Sequence, residues 1–485
     1  MRCLLAGAML TLLVTPAAAQ DDQATVDAIT KEIKSQPADL DDKVKAAYKK
    51  NKKNAVVLTG MGRAFYEVKD TVNAHLYAGY ALKANSKYAP AYILLGDLEA
   101  FNNDGGNAAQ QYEQAIYFDP NNPDAYYKYA SVYSKTSPSG AVAKLEELRA
   151  HRPDVAVDAL AGRIYYKSNM FDDAIRRFGQ VDRSGLEQLD LTDFAMCYYF
   201  TQKYDKSLEI AQYGLTRLPR DAGFNRLAFF SSTELKDYDA ALQYADALFN
   251  RSDSAKISYF DYAYYGNTYS GLKRYPEAIE MYKKALDQEI TDKAKRAGVM
   301  KQLADGYKLN DDYPNAIKEY DEFLNFIGTP TAQDYVGLAQ LYTQYANTLE
   351  GGQRDSTFLQ AEGVYNSIEE KFPNAIEYTT FMKARINSYR DPDTKQGLAK
   401  PLYEKLAGLI EPKEEKDAAD NARLVECYRY LGYYNMLQED TETANTYWNK
   451  ILEIDPENNI AKVALGLAAP GETTNGSATT EQTEQ

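Results

Sequence analysis

Tyr262-Ala263-Tyr264-Tyr265-Gly266-Asn267-Thr268-Tyr269, followed after a short break by Tyr275-Pro276-Glu277-Ala278-Ile279-Glu280-Met281-Tyr282-Lys283-Lys284-Ala285, is the stretch on which the fold turns. Counted from residue 259, its large and small residues fall at positions 4, 7, 8, 11, 17, 20, 24 and 27. The pattern returns from 89 with Tyr92, Leu95, Gly96, Ala108, Tyr112, Ala115 and Pro120. It returns again from 425 with Tyr428, Leu431, Gly432, Ala444, Trp448, Ile451 and Pro456.

Positions 4, 7, 8 and 11 recur at spacings of three and four, so they share one face of a first helix. Positions 20, 24 and 27 do the same on a second. Small residues at 8 and 20, here Gly266 and Ala278, let the two helices approach closely. Aromatic residues at 4, 11, 17 and 24 fill the volume around that contact, which makes core filling the expected role of Tyr262, Tyr265, Tyr269, Tyr275 and Tyr282. Proline at 32 ends the second helix because it lacks an amide hydrogen. One such hairpin cannot bury its own apolar face, and stacked neighbours make a continuous core.

The spacing and residue types resemble the tetratricopeptide repeat, a 34-residue helix–turn–helix unit. About eleven copies are expected, beginning near 55, 89, 123, 155, 188, 222, 259, 297, 332, 375 and 425. The copy from 332 resumes late, at Ala361, Tyr365 and Pro373, so residues 347–355 read as an insertion between its helices. The expected fold is all-α: a right-handed α-solenoid of these hairpins with capping helices at both ends. The expected divisions are a signal peptide at 1–19, a capping helical hairpin at 20–54, the solenoid at 55–458, a capping helix at 459–469 and a disordered tail at 470–485.

The signal reading rests on Arg2, the apolar run Cys3 to Val14 and the small residues Ala17-Ala18-Ala19 before Gln20. It places the chain in the periplasm, with secretion as the alternative, and leaves no stable membrane span after cleavage. The Ala-Gln junction and the tyrosine-rich repeats resemble exported proteins of the Bacteroidetes. Cys197 and Cys427 then remain, about seven repeats apart, and read as buried thiols and not as a disulfide.

A net charge of −15 and the lack of a basic stripe argue against nucleic acid as a partner. The two histidines, His75 and His151, lie in different repeats without metal-ligand spacing. No nucleophile elbow or phosphate loop occurs. No catalytic, metal or cofactor residue is assigned, and the chain reads as a non-enzyme.

What remains is binding. The resemblance implies a concave face lined by positions 2, 5, 9 and 12 of the first helices. On that register the face carries Arg63, Tyr66, Tyr127, Arg163, Tyr166, Tyr199, Arg226, Phe230, Asn267, Lys301, Gln340, Arg429 and Tyr433. Aromatic and Arg side chains give large contact area at small entropic loss. The expected function is a scaffold that holds a protein or peptide segment of a cell-envelope partner. The alternative is a glycan- or peptide-binding protein using the same aromatic groove. The carboxylate clamp of some relatives is not expected. Asn267 occupies position 9 but Ala263 occupies 5, and Lys301 at position 5 is followed by Asp305 at 9.

Overall fold

A computed structural model of the chain describes residues 17–469. The expected tail lies outside them, as does the expected signal segment except for its last three residues, which open the first helix. Helices take up 77% of the described residues, and no strand occurs among them, as the periodicity requires. The chain divides into two compact units, Met1–Ala255 and Lys256–Gln485.

In the first unit the helices are α1 (Ala17–Ser35), α2 (Leu40–Asn51), α3 (Ala55–Glu67), α4 (Thr71–Ala84), α5 (Ala89–Phe101), α6 (Gly105–Phe118), α7 (Pro123–Tyr133), α8 (Pro138–His151), α9 (Asp158–Lys167), α10 (Phe171–Phe178), α11 (Gln188–Phe200), α12 (Tyr204–Arg217), α13 (Ala222–Glu234) and α14 (Tyr238–Asp246). In the second they are α15 (Tyr259–Gly271), α16 (Tyr275–Leu286), α17 (Lys293–Leu309), α18 (Tyr313–Ile327), α19 (Ala332–Asn347), α20 (Gly351–Lys371), α21 (Ile376–Arg390), α22 (Lys400–Ile410), α23 (Ala418–Leu437), α24 (Thr441–Ile454) and α25 (Asn459–Ala464). From α3 onward a helix packs chiefly on the one before and the one after it within its unit, and α3 with α5, α9 with α11 and α11 with α13 also touch; α1 instead packs mainly on α3, past α2. That is the contact pattern of a solenoid, in which each module meets only its neighbours.

The close approach inside a hairpin has a visible cause. A Cβ added to Gly432 would lie 2.7 Å from the Trp448 indole, so only glycine lets that ring seat against the first helix. Gly266 makes the same room for Tyr282, and Ala278 is fully buried beside them. Tyr282 is a core residue as expected. Tyr262, Tyr265, Tyr269 and Tyr275 are only half-buried, because they wrap the rim of the hairpin instead of filling its centre.

The reversal inside the hairpins is nearly invariant. Lys69, Asn103, Asn169, Gln202, Lys236, Lys273, Asp311 and Glu439 all have φ between 57 and 65°. Each is the fifteenth residue of its repeat in the register counted from the sequence, and none is glycine. The following N–H donates to a carbonyl five residues back, as Asp104 does to Glu99 at 2.9 Å and Arg274 does to Tyr269 at 2.9 Å. This satisfies a carbonyl that the helix end leaves unpaired. The sixteenth residue then starts the next helix. Asp70, Asp104, Asp237, Asp312 and Asp440 each accept the N–H three residues on.

Some boundaries differ from the sequence reading. The hairpins expected from 155, 297 and 425 begin at Asp158, Lys293 and Ala418. The early start at Ala418 follows from a capping box between Asp417 and Asp420. The expected insertion at 347–355 is mostly helical, not an extended loop. Gly351, at φ 58°, reverses the chain at once, and the surplus residues lengthen α20 to 21 residues. Its added turns are anchored to α21, where the Arg390 guanidinium donates to Asp355 at 3.3 Å. Cys197 and Cys427 are buried free thiols. Among the described residues no helix is long and apolar enough to cross a membrane.

Candidate functional site

The first helices carry the expected binding residues, but Arg63, Arg163 and Asn267 are already engaged with other side chains of the array. In the first unit Arg63 on α3 pairs with Asp97 on α5 at 3.2 Å, and Lys128 on α7 pairs with the same carboxylate at 2.7 Å. The Tyr112 hydroxyl donates to it as well, at 2.8 Å. Burial and that carboxylate push the Tyr112 phenol far up. Asp97, 5% exposed, therefore ties three successive hairpins together. Arg63 is a structural clasp whose charge is spent inside the array.

Arg163 on α9 is held more tightly. Its Nη2 donates to Asp190 Oδ2 at 2.8 Å and to Glu187 Oε2 at 3.0 Å, and its Nε donates to Asp190 Oδ1. Asp190 is 1% exposed and also accepts the Glu187 N–H, so it caps α11 while it anchors α9. The hydrogen bonds to Asp190 hold the Arg163 guanidinium well above its usual range. Next to it, burial and then the Asp190 charge push Asp193 up to about 6. Arg163, expected as a free contact residue, is first of all a brace between hairpins.

Aromatic residues of the same face are brought together. Tyr166 meets Phe171 with ring centres 6.2 Å apart, Phe171 meets Phe200 at 5.0 Å, Phe200 meets Tyr199 at 6.1 Å and Tyr199 meets Phe230 at 6.3 Å. This aromatic run joins α9, α10, α11 and α13. Phe200 is its most open member at 49% exposure. Phe230, expected in the groove, is only 5% exposed, because it packs between Tyr199 and Phe229. It supports the run from behind and offers a partner little surface. Arg226 is half-buried on α13. Tyr66 is half-buried against Phe101. Tyr127 and Arg163 line one cleft of about 460 Å³ with Lys135 and Lys167.

In the second unit Asn267 is engaged like Arg63. Its Oδ1 accepts from the Tyr282 hydroxyl at 2.9 Å and from Gln302 on α17 at 3.0 Å. Lys301 and Gln340 are exposed. Arg429 and Tyr433 are both exposed and line one cleft with Tyr389 and Tyr430. No cluster of His, Cys, Asp or Glu among the described residues could hold a metal ion.

Residues 111–146, which run from within α6 through α7 into α8, match the family model of the tetratricopeptide repeat. In that segment the chain carries a tetratricopeptide repeat, the unit its spacing resembles. The chain is similar to the C-terminal part of a tetratricopeptide repeat-containing protein from Cytophaga hutchinsonii, at 25% identity over 56% of this chain and 99% of that one, with a TM-score of 0.45. It is also similar to a tetratricopeptide repeat protein from Parabacteroides merdae, at 17% identity over 53% of this chain and 98% of that one, with a TM-score of 0.35. No curated protein sequence matches the chain.

The sequence reading missed Asp97, Lys128, Asp190 and Gln302, the internal partners of its expected groove residues. The signal was available. Arg63 and Asp97 are 34 residues apart, one full repeat. A side chain one repeat away is a neighbour on the adjoining helix, so opposite charges at that separation predict a tie. Phe171 and Phe200 were missed because they sit beside the helix junctions and not at the positions that line the concave face.

Proposed function

We propose that this chain is a non-catalytic scaffold of the cell envelope that holds a segment of a partner protein along the first helices of its first unit. Tetratricopeptide repeat proteins bind protein partners. The observation that carries the proposal is the aromatic run from Tyr166 through Phe171 and Phe200 to Tyr199. Its rings are braced from behind by Phe230 and fixed laterally by the Arg163–Asp190 tie, so a partner segment meets a surface that is already ordered. Pre-ordered aromatic area lowers the entropic cost of association. The envelope location rests on the character of residues 1–19. Crosslinking with a photoreactive residue at Phe200 in native envelopes tests the reading. A discrete protein adduct is expected, lost when Tyr166 and Tyr199 are both replaced by Ala. Adducts of equal yield from a probe at Leu189, an exposed residue at the start of α11, would refute it.

A further inference from the structure

We infer that the cleft between α21, α23 and α25 is a binding site for a neutral carbohydrate, with a sugar ring stacked on Tyr389 and Tyr433 and its hydroxyls bonded to Arg429 and Glu426. This site is separate from the partner surface of the first unit, and neither reading rests on the other. The cleft has a volume of about 540 Å³, within the range of small-molecule sites. Tyr389 is 42% and Tyr433 47% exposed, so ring area stands open on two sides. Glu426 is held by a two-pronged bond from Arg385, at 2.9 and 2.7 Å, and by the Tyr403 hydroxyl at 3.0 Å. It is therefore a fixed acceptor. Arg429 is exposed, and no carboxylate pairs with it among the described residues.

Trp448 also lines the cleft, at 3% exposure and packed against Gly432. The ligand class follows from the mixture of walls. An aliphatic side chain would cover Arg429 and Glu426 without satisfying either. A small anion would pair with Arg429 but leave the open tyrosine rings uncovered. A sugar has an apolar CH face for the tyrosine rings and hydroxyls that both donate and accept, which matches rings, acceptor and donors together.

Trp448 is the only tryptophan of the chain, so its emission reports on this cleft alone. Cellotetraose, maltotetraose and chitotetraose are titrated separately into the full chain. At least one is expected to give a saturable change in emission. Tyr433→Ala and Arg429→Gln should each raise its Kd by about tenfold with unchanged helical circular dichroism. The inference is overturned if none of the three gives a saturable change up to about 10 mM, tenfold above a millimolar Kd. It is equally overturned if both variants bind as the native chain does, or if acetyl-tetraglutamate saturates the signal where the sugars do not. Partner crosslinking at Phe200 is a separate measurement, so failure here leaves that result standing.

Discussion

Replacing Arg163 by Ala is the most direct measure of what the polar residues on the first helices do. If Arg163 served only to contact a partner, the substitution would weaken binding and leave stability alone. The geometry says otherwise. Two of its nitrogens bond a carboxylate that is 1% exposed, and a third contact reaches Glu187. Removing one member of a buried pair costs about 3–5 kcal/mol because the other charge stays behind unpaired. The Arg163 side chain keeps 30% of its surface in water, which lowers the expected loss to about 2–3 kcal/mol. Asp193 would also lose a nearby cation. A double-mutant cycle isolates the pair. Asp190→Asn alone strands Arg163 only partly, and Arg163→Met with Asp190→Asn should recover most of the loss, with a coupling of about 1–3 kcal/mol. The assay is hydrogen exchange read on α9 to α12 together with the urea midpoint, because a solenoid loosens locally before it unfolds globally. A change below about 0.5 kcal/mol in Arg163→Ala, the size of an ordinary surface substitution, would refute the clasp and return Arg163 to the free groove.

Three further outcomes follow from the same geometry. Asp193, raised to about 6, binds more protons in the fold than unfolded between pH 4 and 6, so its contribution is greatest below pH 4 and is lost as pH rises through 6. Asp193→Asn should therefore stabilise the first unit at pH 8 by up to about 2–3 kcal/mol and leave it unchanged at pH 3.5, as read from urea midpoints at the two pH values. Lys273, exposed and at φ 59°, should gain about 0.5–1 kcal/mol when replaced by glycine, since the left-handed conformation penalises any Cβ; a lower melting temperature in that variant would contradict the turn geometry. Ala278→Leu should overpack the contact between α15 and α16 at a cost of about 1–3 kcal/mol, visible as faster exchange in both helices.

The all-helical fold was legible because the code is redundant. Gly266, Ala278 and Tyr282 each have one geometric task, and that task recurs with the same spacing in other hairpins. The helix ends were less legible. The extension of α23 back to Ala418 depends on two aspartates that form a capping box, and the lengthened α20 depends on a single glycine reversal. Neither belongs to the 34-residue pattern. The binding surface was the least legible part. A first-helix position shows only that a side chain faces the next hairpin or the solvent. Arg63, Arg163 and Asn267 face polar groups on the next hairpin, whereas Arg429 and Tyr433 face the solvent. The choice depends on residues one repeat away, which a position-by-position reading leaves out.

The uniform reversal at the fifteenth residue bears on how such a chain can change length. Because Lys69, Lys236, Glu439 and their counterparts adopt one backbone shape with different side chains, that bend does not depend on a special residue at that site. Duplicating or deleting a whole hairpin would therefore require no newly invented bend. Array length becomes a variable that selection can adjust in whole steps, and clasps such as Asp97 are what must be rebuilt at each new junction.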